Sequence, residues 1–64
     1  MATIAHETLG LRVRLERVRR GLSQEDVARA ADVGQHDVSR FERDLVVFKD
    51  RQSRILRTLG LSDE

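Results

Sequence analysis

The sequence predicts an all-α fold of four short helices in one small domain, residues 1–64. Three observations carry that expectation. Apolar residues recur at helical spacing in four successive segments. Gly21 and Gly60 each follow a leucine- and arginine-rich segment, where a helix C-terminus favours glycine. Ser23 and Asp26 stand three residues apart ahead of an apolar run, the spacing of a reciprocal helix-start cap. With helical elements alone, helix-on-helix packing is the available architecture.

The first helix is expected over residues 8–20, with a start as early as Thr3. Residues 1–7 otherwise form a flexible N-terminal arm. The second helix opens on Ser23, which caps the amide of Asp26 while Asp26 answers; Leu22 and Val27 stand where a hydrophobic staple would be. Val27, Ala28 and Ala31 give it an apolar face, and Asp32-Val33-Gly34 make a turn. The third helix runs from about Gln35 to Arg43. Val38, Phe41 and Leu45 share a narrow stripe that faces the core. His36, Ser39, Arg40 and Arg43 project roughly opposite, and Gln35 from the first turn. The fourth helix, about Asp50 to Leu59, buries Ile55, Leu56 and Leu59, and Leu61 closes it with a C-terminal contact.

Composition narrows the function classes. A chain of 64 residues buries only about 60% of the surface its unfolded form exposes, so stability is marginal. The absence of cysteine removes disulfides and thiolate chemistry. The longest apolar run, Leu45 to Phe48, is too short to span a membrane. No signal-peptide pattern opens the chain, and a soluble cytoplasmic, nucleoid-associated protein is the expectation. Net charge is +1, but it is unevenly spread. Arg12, Arg14, Arg17, Arg19 and Arg20 cluster before an acidic stretch at 21–44, and Lys49, Arg51, Arg54 and Arg57 follow it. Basic blocks on either side of the central segment suit phosphate contacts, although composition alone favours an ordinary mixed-charge surface. With no nucleophile beside a base, no paired carboxylates and no phosphate loop, an enzyme is not expected. His36 and His6 are the only histidines, which argues against a zinc site, and no cofactor is expected.

The chemistry concentrates in residues 23–43, two short helices joined by a tight turn. That layout suits a helix-turn-helix reader of the DNA major groove. Glutamine can present its amide donor and acceptor together to adenine, and arginine two donors to guanine. Helix-start amides bind phosphate. The alternatives are plain. Gln35 and His36 can be exposed polar residues without a role, and Arg40 can pair with Asp37 or Asp44 on its own helix.

The run Arg17-Val18-Arg19-Arg20-Gly21-Leu22-Ser23-Gln24-Glu25-Asp26-Val27-Ala28, followed by Val38-Ser39-Arg40-Phe41-Glu42-Arg43, resembles the Cro and lambda-repressor (XRE) helix-turn-helix family over about residues 9–61. The resemblance implies a lambda-repressor-like domain of four helices, or of five cut short. It implies base reading by Gln35, His36, Ser39 and Arg40. Ser23, Gln24, Arg43, Lys49 and Arg51 would hold the DNA backbone. Gln24 would hydrogen-bond Gln35, and Arg17 and Glu42 would form a partly buried ion pair. The implied protein is a repressor of a phage, mobile element or bacterium that binds a palindromic operator on double-stranded DNA as a homodimer. The runners-up are an antitoxin, the DNA-binding domain of a longer regulator, or a protein-interaction module that kept the fold alone.

Several residues depart from that family. Asp32 takes a turn position usually given to glycine, and can adopt positive φ at some cost. Asp37 puts a carboxylate on the third helix, where it suits the dipole and either accepts from cytosine or repels phosphate. The loop Leu45-Val46-Val47-Phe48 replaces a polar stretch, and a fifth helix is not expected after Leu61. On the first helix the family's inward positions fall on Leu9, Val13, Glu16 and Arg17. The stronger stripe is Ile4, Leu11, Leu15, Val18 and Leu22, a heptad-like seam on the opposite face. Either the helix is rotated and the stripe is core, or both faces are used. The expected dimer interface is Val46, Val47 and Phe48, with Leu11, Leu15 and Val18 as the fallback or as a surface for a regulatory protein partner.

Overall fold

Four helices account for the regular structure in the computed structural model, which describes residues 8–61: α1 Leu9–Arg19, α2 Gln24–Ala31, α3 Gln35–Glu42 and α4 Lys49–Thr58. The N-terminal arm and Ile4 lie outside the described residues. Thr8 caps α1 by accepting from the Leu11 amide, so the helix begins at the late end of the expected range. Ser23 and Asp26 form the reciprocal cap of α2, with both bonds at 2.9 Å.

All four helices stop in the same way. A residue in the left-handed region follows each one: Gly21 at φ 71°, Asp32 at 59°, Asp44 at 60° and Gly60 at 69°. The next amide then reaches back five residues, Leu22 to Arg17, Val33 to Ala28, Leu45 to Arg40 and Leu61 to Leu56. These bonds satisfy carbonyls that the helix end leaves open. Two stops were legible as glycines. The other two use aspartate, which tolerates the left-handed region better than most residues.

Helix α3 packs against α2 on one side and α1 on the other, and α4 closes the far side of α2. Val13, Val27, Val38, Ile55 and Leu59 are fully enclosed between them, with Ala28, Ala31, Phe41, Val47 and Leu56 around them. Leu9, Leu22, Val33 and Leu61 pack against this core from its edge.

Two expectations about the core are corrected. Leu45 is 46% exposed. The helix ends at Glu42 and the left-handed turn at Asp44 redirects the chain, so a helical projection no longer describes Leu45. Val47, expected at an interface, is buried in the protein's own core at 7% exposure. The redirected chain turns it inward, and its carbonyl accepts from Gln52 Nε2 at 2.9 Å.

The first helix also resolves to one face. Val13 and Gly10 are buried, whereas Leu11, Leu15 and Val18 stay 36%, 50% and 58% exposed. The stronger apolar stripe is therefore surface. Gly10 explains the choice. A Cβ there would sit 2.2 Å from the Phe41 carbonyl oxygen and 2.7 Å from Asp44 Oδ1. Only a face carrying glycine at that level lets α1 approach the end of α3 so closely. Thr8 Oγ1 donates to Asp44 Oδ2 at 3.2 Å and adds a polar tie at this crossing.

Candidate nucleic-acid interface

The exposed face of α3 carries the polar residues singled out in the sequence. Gln35 and His36 occupy its first turn and are exposed; Arg40 is exposed one turn further, Ser39 half-buried between them, and Arg43 exposed at the cap. The opposite face, Val38 and Phe41, is in the core. This division follows from the helical period, because burial of Val38 and Phe41 leaves residues two positions away pointing outward. Among the described residues, no carboxylate pairs with Arg40 or Arg43, so both guanidinium groups are available to a ligand.

Asp37 behaves differently from the base-reading or phosphate-repelling carboxylate considered above. It is 5% exposed. Its Oδ2 accepts from the Gly34 amide at 3.1 Å, capping α3 where glycine has no side chain to offer. Arg51 Nη1 stands 3.4 Å from both carboxylate oxygens, so Asp37 also ties the start of α3 to α4. The spacing Gly34 to Asp37 repeats that of Ser23 to Asp26, and this was the available sequence signal. Arg51 is thus engaged by Asp37, and its guanidinium also lies 5.0 Å from the centre of the Phe48 ring. It retains partial exposure for a phosphate, but with its charge already partly answered.

The start of α2 lies at the other side of the motif. The amides of Gln24 and Glu25 have no helical carbonyl to meet, the usual condition for anion binding at a helix start. Asp26 holds its carboxyl below the usual range, through the Ser23 amide first and the Ser23 hydroxyl second. The cap therefore stays ionised and intact across neutral pH. Lys49 is exposed at the first position of α4, whose N-cap residue Phe48 supplies no side-chain bond.

Beneath these surfaces, Arg17 and Glu42 lock α1 to α3. Arg17 Nε donates to Glu42 Oε2 at 2.6 Å and its Nη2 to Oε1 at 3.1 Å. A third donor, Nη1, reaches the Leu22 carbonyl at 2.9 Å. Their side chains are 13% and 4% exposed. Gln24 Nε2 donates to the same Glu42 at 3.2 Å. The resemblance implied a bond from Gln24 to Gln35. In this structure the Gln24 side chain lies against Glu42 instead, because that carboxylate still has lone pairs to share.

Beside α3, a cleft of about 300 Å³ is lined by His36, Arg40, Val46, Phe48 and Arg51 among others. Val46 is 88% and Phe48 71% exposed, so apolar surface adjoins the reading residues directly. Among the described residues, no group of histidines and carboxylates could hold a metal ion, and no helix is long and apolar enough to cross a membrane.

A family model described as a helix-turn-helix domain matches residues 8–64. Neither the curated proteins nor the solved structures give a significant match. The capped α2, the left-handed turn at Asp32, and α3 with one face buried and the other polar are the parts such a motif requires. The chain belongs to the helix-turn-helix domain family, consistent with its resemblance to the Cro and lambda-repressor type.

Proposed function

We propose that this protein is a transcriptional regulator that reads double-stranded DNA with α3, acting as a repressor on a palindromic operator as a homodimer. The observation that carries this reading is the exposed set Gln35, His36 and Arg40 on the first turns of α3. Gln35 reads adenine and Arg40 guanine, each through paired hydrogen bonds, with His36 and Ser39 beside them. Ser23, Gln24, Arg43 and Lys49 hold phosphates on either side, and Arg51 adds a weaker contact. Two copies would set their reading helices roughly 34 Å apart. Burial of Asp37 supports the reading, since its carboxylate no longer faces DNA.

A protein-interaction module is the second reading, and the exposed Val46 and Phe48 favour it. Selection of bound sites from a random duplex pool separates the two. The expected result is a palindromic preference, with affinity falling steeply as salt rises. Gln35→Ala or Arg40→Ala is expected to cost about 1–3 kcal/mol on the selected site and to relax preference at one base pair. Unaltered preference in both variants would remove α3 as the reader, and no selected sequence would favour the interaction module.

A further inference from the structure

Gly34 opens α3 in a backbone conformation that does not call for glycine. At φ −81° and ψ 154° it lies in the ordinary extended region. The position also forgoes a bond, since a serine there can cap a helix as Ser23 caps α2. Close approach is the remaining physical reason for glycine, and the approaching group is the His36 imidazole. A Cβ on Gly34 would stand 2.7 Å from Cε1 and 2.9 Å from Nδ1 of that ring. The imidazole is thus folded back over the turn, with Nε2 3.7 Å from Asp37 Oδ1, while the side chain stays 71% exposed. Asp37 Oδ2 would lie 3.6 Å from the added carbon, an ordinary contact, so the conflict is with the ring alone.

We propose that Gly34 is a positioning residue for His36 in DNA recognition: its missing side chain lets the ring lie over the turn, and the ring's place there sets the base preference at the leading end of α3. The proposal rests on α3 being the reading helix. An exposed imidazole with no fixed seat would meet a base edge in several poses and discriminate poorly. Here one pose is seated against the turn, which fixes where the ring nitrogens stand before DNA arrives. With a methyl group at position 34 the ring has to leave that seat. It is the exposed end of a flexible side chain, so it can leave without moving the helix. Gly10 is the opposite case, because the obstacle there is the backbone of Phe41. A side chain at position 34 therefore changes reading and leaves the fold intact.

The test combines Gly34→Ala, Gly34→Ser and His36→Ala in the full chain. In the free wild-type protein, NMR is expected to show a nuclear Overhauser contact between the His36 ring and the Gly34 α protons, and His36→Ala assigns the ring signal. Both Gly34 variants should melt close to wild type. In site selection both should change preference, by at least about threefold, at the base pair that His36→Ala also alters. In the His36→Ala background, Gly34→Ala should have no further effect. Serine separates positioning from capping: it restores the helix-start bond, yet should change preference as alanine does. The proposal is overturned by a wild type without the Overhauser contact, by unchanged preference in Gly34→Ala, or by a Gly34→Ala effect that persists without His36. A wild type that shows the contact but selects no site overturns the DNA reading itself, and this role with it.

Discussion

Glu42 accepts from three donors at once: two of Arg17 and the amide of Gln24 converge on its carboxylate. At 4% exposure it has little water to fall back on. Removing the charge would leave the Arg17 guanidinium without its counter-ion in a half-dry site, a loss that reaches about 3–5 kcal/mol in buried pairs. In a domain of this size each kcal/mol moves the melting temperature by about 4–8 °C. Glu42→Gln is therefore expected to lower the melting temperature by at least about 10 °C in a calorimetric scan. A shift of a degree or two would mean that the pair contributes nothing. The exposed ion pairs, Arg54 with Asp50 for instance, are worth at most about 1 kcal/mol each, so their loss should move the melting temperature less than that of Glu42. Burial, more than the number of bonds, separates these cases.

At the scale of the element, α1 is held by its closeness to α3 and by charge along its own side. Gly10→Ala tests the first. Alanine favours a helix over glycine by about 1 kcal/mol. Here its methyl would meet the backbone of Phe41, which cannot swing aside as a side chain would. Overpacking costs typically about 1–3 kcal/mol and should win. The expected outcome is net destabilisation in urea, and a stabilised variant would show that the helices can part without penalty.

Charge along α1 is tested by acid. Hydrogen bonds from Arg19 and then Arg20 hold the Glu16 carboxyl at about 2, against an ordinary 4.5. A carboxylate depressed on folding stabilises above its unfolded pKa and ceases to do so as pH falls through its folded one. The stability difference between wild type and Glu16→Gln should therefore be complete above about pH 4.5 and close to zero near pH 2. A difference that persists unchanged to pH 2 would assign it to packing.

At the scale of the whole molecule, a homodimer is proposed. In the proposed homodimer the loop after α3 supplies the contact, and Val46 and Phe48 are the side chains it has to offer. Val47 is committed to the protein's own core, so a charge there would unfold the domain and report nothing about assembly. Val46→Asp is the informative variant, because that side chain is almost wholly exposed. It should melt like wild type, sediment as a monomer, and bind a palindromic site more weakly than wild type. Two half-sites joined in one dimer gain effective concentration that separate monomers lack. A Val46→Asp protein that remains dimeric moves the interface elsewhere.

The sequence by itself determined the four helices, the Ser23–Asp26 cap, the two glycine stops and the polar face of α3. These depend on neighbours within a turn or two: Ser23 with Asp26, Gly21 and Gly60 at helix ends, and Val38 with Phe41 opposite Arg40. Tertiary structure decided what local spacing leaves open. Two apolar stripes competed on α1, and hydrophobicity favoured the wrong one. Close approach at Gly10, together with the partner for Arg17 on α3, chose the other. In the loop after α3, four consecutive apolar residues carry no helical period to rank them. The left-handed turn at Asp44 set which way each would point, burying Val47 and leaving Leu45, Val46 and Phe48 outside. Asp37, too, reads as surface on its helix until Arg51 arrives from α4 to cover it. Such choices depend on distances between elements far apart along the chain, and a residue's near neighbours do not contain them.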